Sequence, residues 1–288
     1  MTVANAKAVT PASVKPKRIV VKVIVYLALI FFAGLLLVPF YWMISSSLKI
    51  DRDVFSVPIQ WFPRNPVWSN YADIWTRIPL LTFVMNSIRL TLIVTAMQLL
   101  TSSFAAYAFS KLDFIGKNIL FLAYVGTIAV PWHVFMVPQF IMLRAMGLFN
   151  THMAIIILQA FTAFGVFLMK QFYDTIPNEL NEAARIDGLS EYGIWRRIML
   201  PLSKPALATL TIFTFVFVWN DFLGPRLYLT TPNLHTIQLG IRNFMGMHSS
   251  EFGLIMAVAV ISLVPVLIVF LALQKFFVQG VATSGLKG

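Results

Sequence analysis

Six long apolar runs constrain this chain more than any other feature. Residues 23–44 carry no charge and are long enough to cross a bilayer, which takes about 20 apolar residues as a helix. Runs at 90–109, 119–143, 153–169, 206–219 and 252–274 follow. The fifth is short and is expected to extend into its flanks. In hydrocarbon every backbone N–H and C=O must be satisfied internally, so the runs predict packed helices. Pro131 and Pro138 in the third run and Pro265 in the sixth predict kinks. Composition agrees: 59% of residues are hydrophobic and 11% charged, where soluble domains carry about 25% charge. The expectation is an all-α membrane protein with six transmembrane helices.

The basic residues orient it. With the N-terminus inside, inner segments hold fourteen lysines and arginines and outer segments seven, with Arg89 at a span end. This bias predicts both termini in the cytoplasm. It also accounts for the net charge of +11 without nucleic acid. Trp61, Trp68 and Trp75 in the first outer loop, with Tyr41 and Trp42, suit an interfacial aromatic belt. The first run is longer than a signal-peptide core of about 7–15 residues and lacks a small-x-small cleavage site, so it is expected to be retained. The predicted organisation is a basic cytoplasmic tail at 1–22, a first transmembrane helix at 23–48 and an external loop at 49–82. A five-helix core at 83–288 contains a cytoplasmic loop at 174–204.

That loop is charged and helix-forming, unlike its surroundings. Asp174 or Thr175 is expected to cap a first helix, with Pro177 in its first turn. Glu179 and Glu182 near its N-terminus oppose the macrodipole favourably. Gly188 is placed to end it in a left-handed conformation. Ser190 can cap a second helix, with Glu191 in its first turn. Ile194 and Ile198 then share a face, with Trp195 beside them. The residues alone fit either an amphipathic surface loop on lipid head groups or a docking element for a soluble partner.

Absences narrow the classes. There is no cysteine, hence no disulfide or thiolate metal site. No G-x-x-x-x-G-K-[ST] phosphate loop occurs, so any ATP hydrolysis belongs to another chain. No H-E-x-x-H or Gly-x-Ser-x-Gly pattern is present. His133, His152, His235 and His248 are scattered, which suits loop or interfacial roles and gives an intramembrane enzyme little support.

Within the loop, Glu182-Ala183-Ala184 is followed after three residues by Gly188, and after nine more by Ile198-x-Leu200-Pro201. This resembles the EAA loop of permease subunits of binding-protein-dependent ABC importers, with every position of the pattern filled. Further stretches resemble carbohydrate permeases of the maltose (MalG-like) type. They include Trp42 to Lys49, Asn70-Tyr71, Asn86-Ser87, Ala105 to Phe109, Trp219 to Phe222 and the tail from Phe276 to Gly288. The resemblance implies the type I ABC importer permease fold with cytoplasmic EAA coupling helices, in a bacterial or archaeal inner membrane. It implies a second homologous permease, two copies of an ABC ATPase and an external solute-binding protein, besides membrane lipid. This chain would hold no cofactor; ATP and Mg would sit on the ATPase. Glu182, Ala183, Ala184, Asp187, Gly188, Ile194, Trp195, Ile198, Leu200 and Pro201 would couple the chain to that ATPase. Glu182 would meet a basic group there, and Ile194, Trp195 and Ile198 would supply apolar contacts. The C-terminal tail would reach toward the ATPase dimer, and the outer loop at 223–250 would touch the binding protein.

Candidate pathway residues are Asn86, Arg89, His133, Gln139 and Asn220, with Gln98 and Gln159 further polar candidates. Polar groups in spans also serve as glue between helices. Arg89 can snorkel to the outer head groups; alternatively Arg89 and His133 form a basic lining for an acidic sugar. The same architecture could carry glycerol phosphate or a polyamine. An ion-coupled secondary transporter is less favoured, because Asp221 lies at a span end and the spans otherwise lack a carboxylate for coupling.

Overall fold

The computed structural model describes residues 15–245 and 251–285, with side chains over 20–245 and 251–276. Residues 1–14 of the tail expected at 1–22, His248 and the remainder of 246–250, and the terminal 286–288 lie outside the described residues. Fifteen α-helices follow one another, and no strand occurs among the described residues. They are α1 (Lys15–Ser47), α2 (Asp51–Val54), α3 (Asn70–Arg77), α4 (Leu80–Lys111), α5 (Lys117–Gly126), α6 (Met136–Ala145), α7 (His152–Gln159) and α8 (Ala163–Tyr173). Then come α9 (Glu179–Ile186), α10 (Glu191–Ile194), α11 (Leu200–Leu202), α12 (Lys204–Trp219), α13 (Leu223–Tyr228), α14 (Ile237–Ile241) and α15 (Phe252–Gly285).

Four segments are long and apolar enough to cross a membrane: Val20–Ser47, Leu80–Lys111, His152–Tyr173 and Phe252–Phe276. Two bent pairs raise the number to six if each counts as one span. The first pair corrects the reading of the third run. Pro131 does not merely kink it: the two halves, Lys117–Ala129 and Trp132–Ala145, meet at 94°. Proline supplies no N–H and disfavours helix at the preceding residue, and Val130 is accordingly extended. Pro138 falls in the first turn of α6, where a missing N–H costs nothing. α15, the sixth apolar run, continues through Pro265.

α4 begins ten residues before the second apolar run. Asn86 and Ser87, which the resemblance puts at the opening of this span, lie in its second turn, and both are satisfied by the backbone at Asn233–Ile237. Asn86 Nδ2 donates to the Asn233 and His235 carbonyls at 2.8 and 3.0 Å, and Ser87 Oγ accepts from Ile237 N at 2.8 Å.

α4 packs along α8 and α12, and α12 along α15. The inner core gathers Tyr107 of α4, Met169 and Tyr173 of α8, and Leu210 of α12. The outer core joins Ile74, Leu80, Trp219, Ile237 and Val258. Gly165 permits the close approach of α8 to α4: a Cβ there would collide with Ser102 Oγ and lie 2.7 Å from Thr162 Cγ2.

α1 differs from the other spans. Residues 20–41 are exposed, and burial begins only at its C-terminal end, from Trp42 to Ser47. A polar knot holds that end. Asn70 Nδ2 donates to the carbonyls of Ser47 and Lys49 at 2.9 and 3.1 Å. The Lys49 ammonium bonds the Gln60 carbonyl and lies 4.3 Å from the Trp42 ring. Asp51 Oδ1 accepts from Gly253 N at 2.9 Å, tying the knot to α15.

Candidate functional site

The charged loop is built as a helix, a tight turn and a second helix. α9 lacks the expected side-chain cap: Asn178 stands at the N-cap with no such bond. Asp174 is engaged elsewhere, accepting from Ser110 Oγ and Lys170 Nζ, both at 2.7 Å, and Thr175 Oγ1 donates to the Phe172 carbonyl. Pro177 precedes the helix instead of opening it. The C-terminus follows the sequence closely. Gly188 has φ +82°. Its N–H reaches the Arg185 carbonyl at 3.0 Å, and Leu189 N reaches the Ala184 carbonyl at 3.0 Å. Together these form a Schellman motif. Ser190 caps α10, accepting from Gly193 N at 3.3 Å.

Past Ile194 the backbone widens into a π turn at Trp195–Met199, and Leu200 N bonds the Trp195 carbonyl five residues back. Pro201 accounts for this locally: it cannot donate, and in a regular helix its ring would press on the Arg197 carbonyl. The segment then meets α12 at 79°.

A clamp from α4 fixes the loop. Arg185 Nε donates to Glu191 Oε1 at 2.7 Å, and the Tyr107 hydroxyl donates to Glu191 Oε2. Lys111 Nζ donates to the Ile176 carbonyl and Asn178 Oδ1 at 2.6 and 2.7 Å. The hydrogen bond from Arg185 holds the Glu191 carboxyl below the usual carboxylate range, against the opposing effect of burial.

The coupling candidates divide by orientation. Glu182, Ala183, Asp187 and Gly188 are exposed, while Ala184 is buried. Ile194 and Trp195 correct the expectation: both are buried in the chain's own inner core and offer no outward surface. Their apolar stripe is consumed against α4 and α8. Ile198 and Leu200 are half-buried against the same core, and Pro201 is exposed. The outward apolar groups are others, Leu180, Ile186 and Tyr192; Ile186 is 86% exposed. The signal for them was a large hydrophobe among charges, out of phase with the buried stripe.

The candidate pathway residues do not converge as expected. A cavity of about 360 Å³ is bordered by Gln98, His133 and Gln159, together with Trp132, Asp221 and Tyr228. Asn86 is buried in the loop contacts described above, and Arg89 is exposed on α4 away from the cavity. Asn220 is exposed and turns its amide to the Val216 carbonyl at 2.9 Å. Gln139 stands behind the wall, where its Oε1 accepts from Trp132 Nε1 at 3.0 Å and the Tyr228 hydroxyl at 3.2 Å. Asp221 was missed because it lies past the span's end in sequence. In space it turns back to the cavity, where Oδ2 accepts from Gln159 Nε2 at 2.8 Å and Oδ1 from Gly224 N at 3.1 Å. Gln98 completes the wall: Nε2 donates to the Gln159 carbonyl at 2.7 Å, and Oε1 accepts from Thr214 Oγ1 at 2.8 Å. Among the described residues no cluster of histidine and carboxylate could hold a metal.

Residues 12–283 match the family described as binding-protein-dependent transport system inner membrane component. The chain belongs to that family. This permease is 30% identical over 261 residues to the arabinooligosaccharides transport system permease protein AraQ of Halalkalibacterium halodurans, covering 90% of this chain and 94% of that one. It is 32% identical over 254 residues to the melibiose/raffinose/stachyose import permease protein MelC of Bacillus subtilis, covering 87% and 91%. Among solved structures, a bacterial ABC transporter involved in the import of the acidic polysaccharide alginate superposes with a TM-score of 0.78. There the identity is 25%, over 93% of this permease and all of that chain. The family places the permease in the inner membrane and makes its transport depend on a binding protein.

Proposed function

We propose that the permease forms half of the translocation pathway of an ATP-driven importer of sugars or oligosaccharides. It crosses the membrane six times with both termini in the cytoplasm. A second, related permease completes the path, two ATPase subunits bind ATP and Mg beneath it, and an external binding protein delivers the sugar. The loop from Glu179 to Pro201 docks on one ATPase, and closure of the ATPase dimer moves the spans between outward- and inward-facing states. A ligand shifts such an equilibrium only by binding the two states differently; ATP supplies that difference and the loop transmits it.

The observation that carries this reading is the exposed face of α9 and its turn. Glu182 and Asp187 stand beside Leu180 and the 86% exposed Ile186, on a segment that α4 clamps and the inner core anchors. A rigid element with a mixed acidic and apolar outer face suits a protein cleft. The sugar class is supported by the carbohydrate permeases to which the chain is similar.

The test is uptake and ATP hydrolysis by the complete complex in proteoliposomes, with its binding protein. Glu182→Lys is expected to abolish sugar-stimulated hydrolysis while membrane insertion is unchanged. Uptake that collapses with a protonophore while ATP remains, or normal coupling in Glu182→Lys, overturns the reading.

A further inference from the structure

The cavity walled by Gln98 of α4, Gln159 of α7 and the residues after α12 has a definite chemical character. Its polar wall is an acceptor wall. Asp221 accepts from Gln159 Nε2, Gly224 N and the Leu223 backbone, which fixes the carboxylate and still leaves acceptor capacity unused. Gln159 Oε1 is buried and has no hydrogen-bond partner. No lysine or arginine borders the cavity. The opposite wall is aromatic, with Trp132 held in place by Gln139 and Phe161 and Phe217 nearby. The volume of about 360 Å³ is at the small end of ligand pockets, which span about 300–1,000 Å³.

A solute that fits must bring hydrogen-bond donors for Asp221 and an apolar face for Trp132. It must not bring a negative charge, since two carboxylates in a weakly screened site repel. We propose that this cavity is a subsite for a neutral sugar unit, with Asp221 accepting its hydroxyl protons and Trp132 covering its C–H face, and that it discriminates against uronates. This rests on the importer reading, and names the substrate class that the path favours. It departs from the expected basic lining: Arg89 is outside the cavity, and His133, which does border it, shares that border with the Asp221 carboxyl.

The experiment uses the assembled complex of both permeases and the ATPases in lipid nanodiscs, without binding protein. Saturation-transfer NMR reads binding of arabinose, galactose and raffinose against galacturonate and digalacturonate, with spermidine as a cationic probe. Neutral sugars are expected to bind and galacturonate to give at least tenfold less transfer. Asp221→Ala and Trp132→Leu should each weaken neutral-sugar binding at least tenfold, whereas Asp221→Asn should retain it within about threefold and admit galacturonate. Galacturonate binding to the unaltered complex that Asp221→Ala does not strengthen overturns the proposal. So do neutral-sugar binding untouched by both Asp221→Ala and Trp132→Leu, a response to spermidine alone, and no response to any probe. Should Asp221→Ala fail to assemble, Asp221→Asn and Trp132→Leu decide. A complex that contains ATPase and hydrolyses ATP but fails these readouts sinks the subsite alone. A permease that recruits no ATPase sinks the importer reading.

Discussion

Gly188 offers the sharpest test of how the loop holds its shape. Its φ is +82°, and a Cβ built there meets nothing within 4 Å. Crowding inside the permease therefore contributes nothing, and the whole cost of a side chain is backbone strain. For an ordinary residue in this region that cost is about 1–2 kcal/mol. Asn tolerates it better, and a β-branched residue is worse. If the Schellman turn opens to relieve the strain, the ratio of closed to open turn falls by a factor of about 5–30. The apparent dissociation constant for the ATPase rises by up to the same factor, in proportion to the closed fraction lost. The assay is ATP hydrolysis as purified ATPase is titrated onto permease-containing proteoliposomes. The expected order of impairment is Gly188→Asn, then Gly188→Ala, then Gly188→Val. Were an ATPase surface pressing on the turn instead, damage would follow size and Asn would exceed Ala. Wild-type titration of Gly188→Val would refute the argument outright.

Three further outcomes are expected. Glu191→Gln and Tyr107→Phe should loosen the clamp, seen as faster tryptic cleavage after Arg185. The Arg185–Glu191 pair is about two-fifths exposed on both sides, so its loss is about 0.2–1 kcal/mol. Because the folded carboxyl is held low, the clamp contributes fully above the unfolded value of about 4.3 and fails as pH falls through the folded one. Cleavage relative to an unstructured arginyl peptide in the same tube should thus be flat from neutral pH down to about 5 in the wild type. Gly165→Ala should cost about 1–3 kcal/mol by overpacking α8 on α4, measured as a lower melting temperature of the detergent-solubilised complex; Ser102→Gly in the same chain should restore part of it. Gln98→Leu strands the Thr214 hydroxyl and the Gln159 carbonyl, each costing about 1–3 kcal/mol. Adding Thr214→Val should recover some of the lost melting temperature.

The spans and the loop's C-terminal punctuation were legible because their signals are local. Twenty apolar residues, a glycine after a helix and a serine before one each act within a turn of themselves. The start of α4 was legible only to within a few residues: the apolar run begins at Leu90 and the resemblance opens the span at Asn86-Ser87, whereas the helix begins at Leu80 and the distant backbone at Asn233–Ile237 satisfies its polar groups. The inward turn of Ile194 and Trp195 was missed for a related reason: one apolar stripe fits a partner's cleft or the chain's own core, and only the packing of α4 and α8 decides between them. Asp221 shows the same limit at the cavity. Chain position put it beyond the span, and the fold brings it back against Gln159.

The polar knot at the C-terminal end of α1 has a mechanical consequence. From residue 20 to residue 41 the side chains of that helix are exposed, while the helix packs on α15 and the knot ties down its Trp42–Ser47 end. Its uncharged stretch of 22 residues rises about 33 Å, enough to span a hydrocarbon thickness of about 30 Å with some tilt. Anchored at one end and bare along the rest, α1 presents an apolar flank that lipid or a neighbouring membrane protein must cover, which makes lipid chain length a variable to control in any reconstitution of this permease.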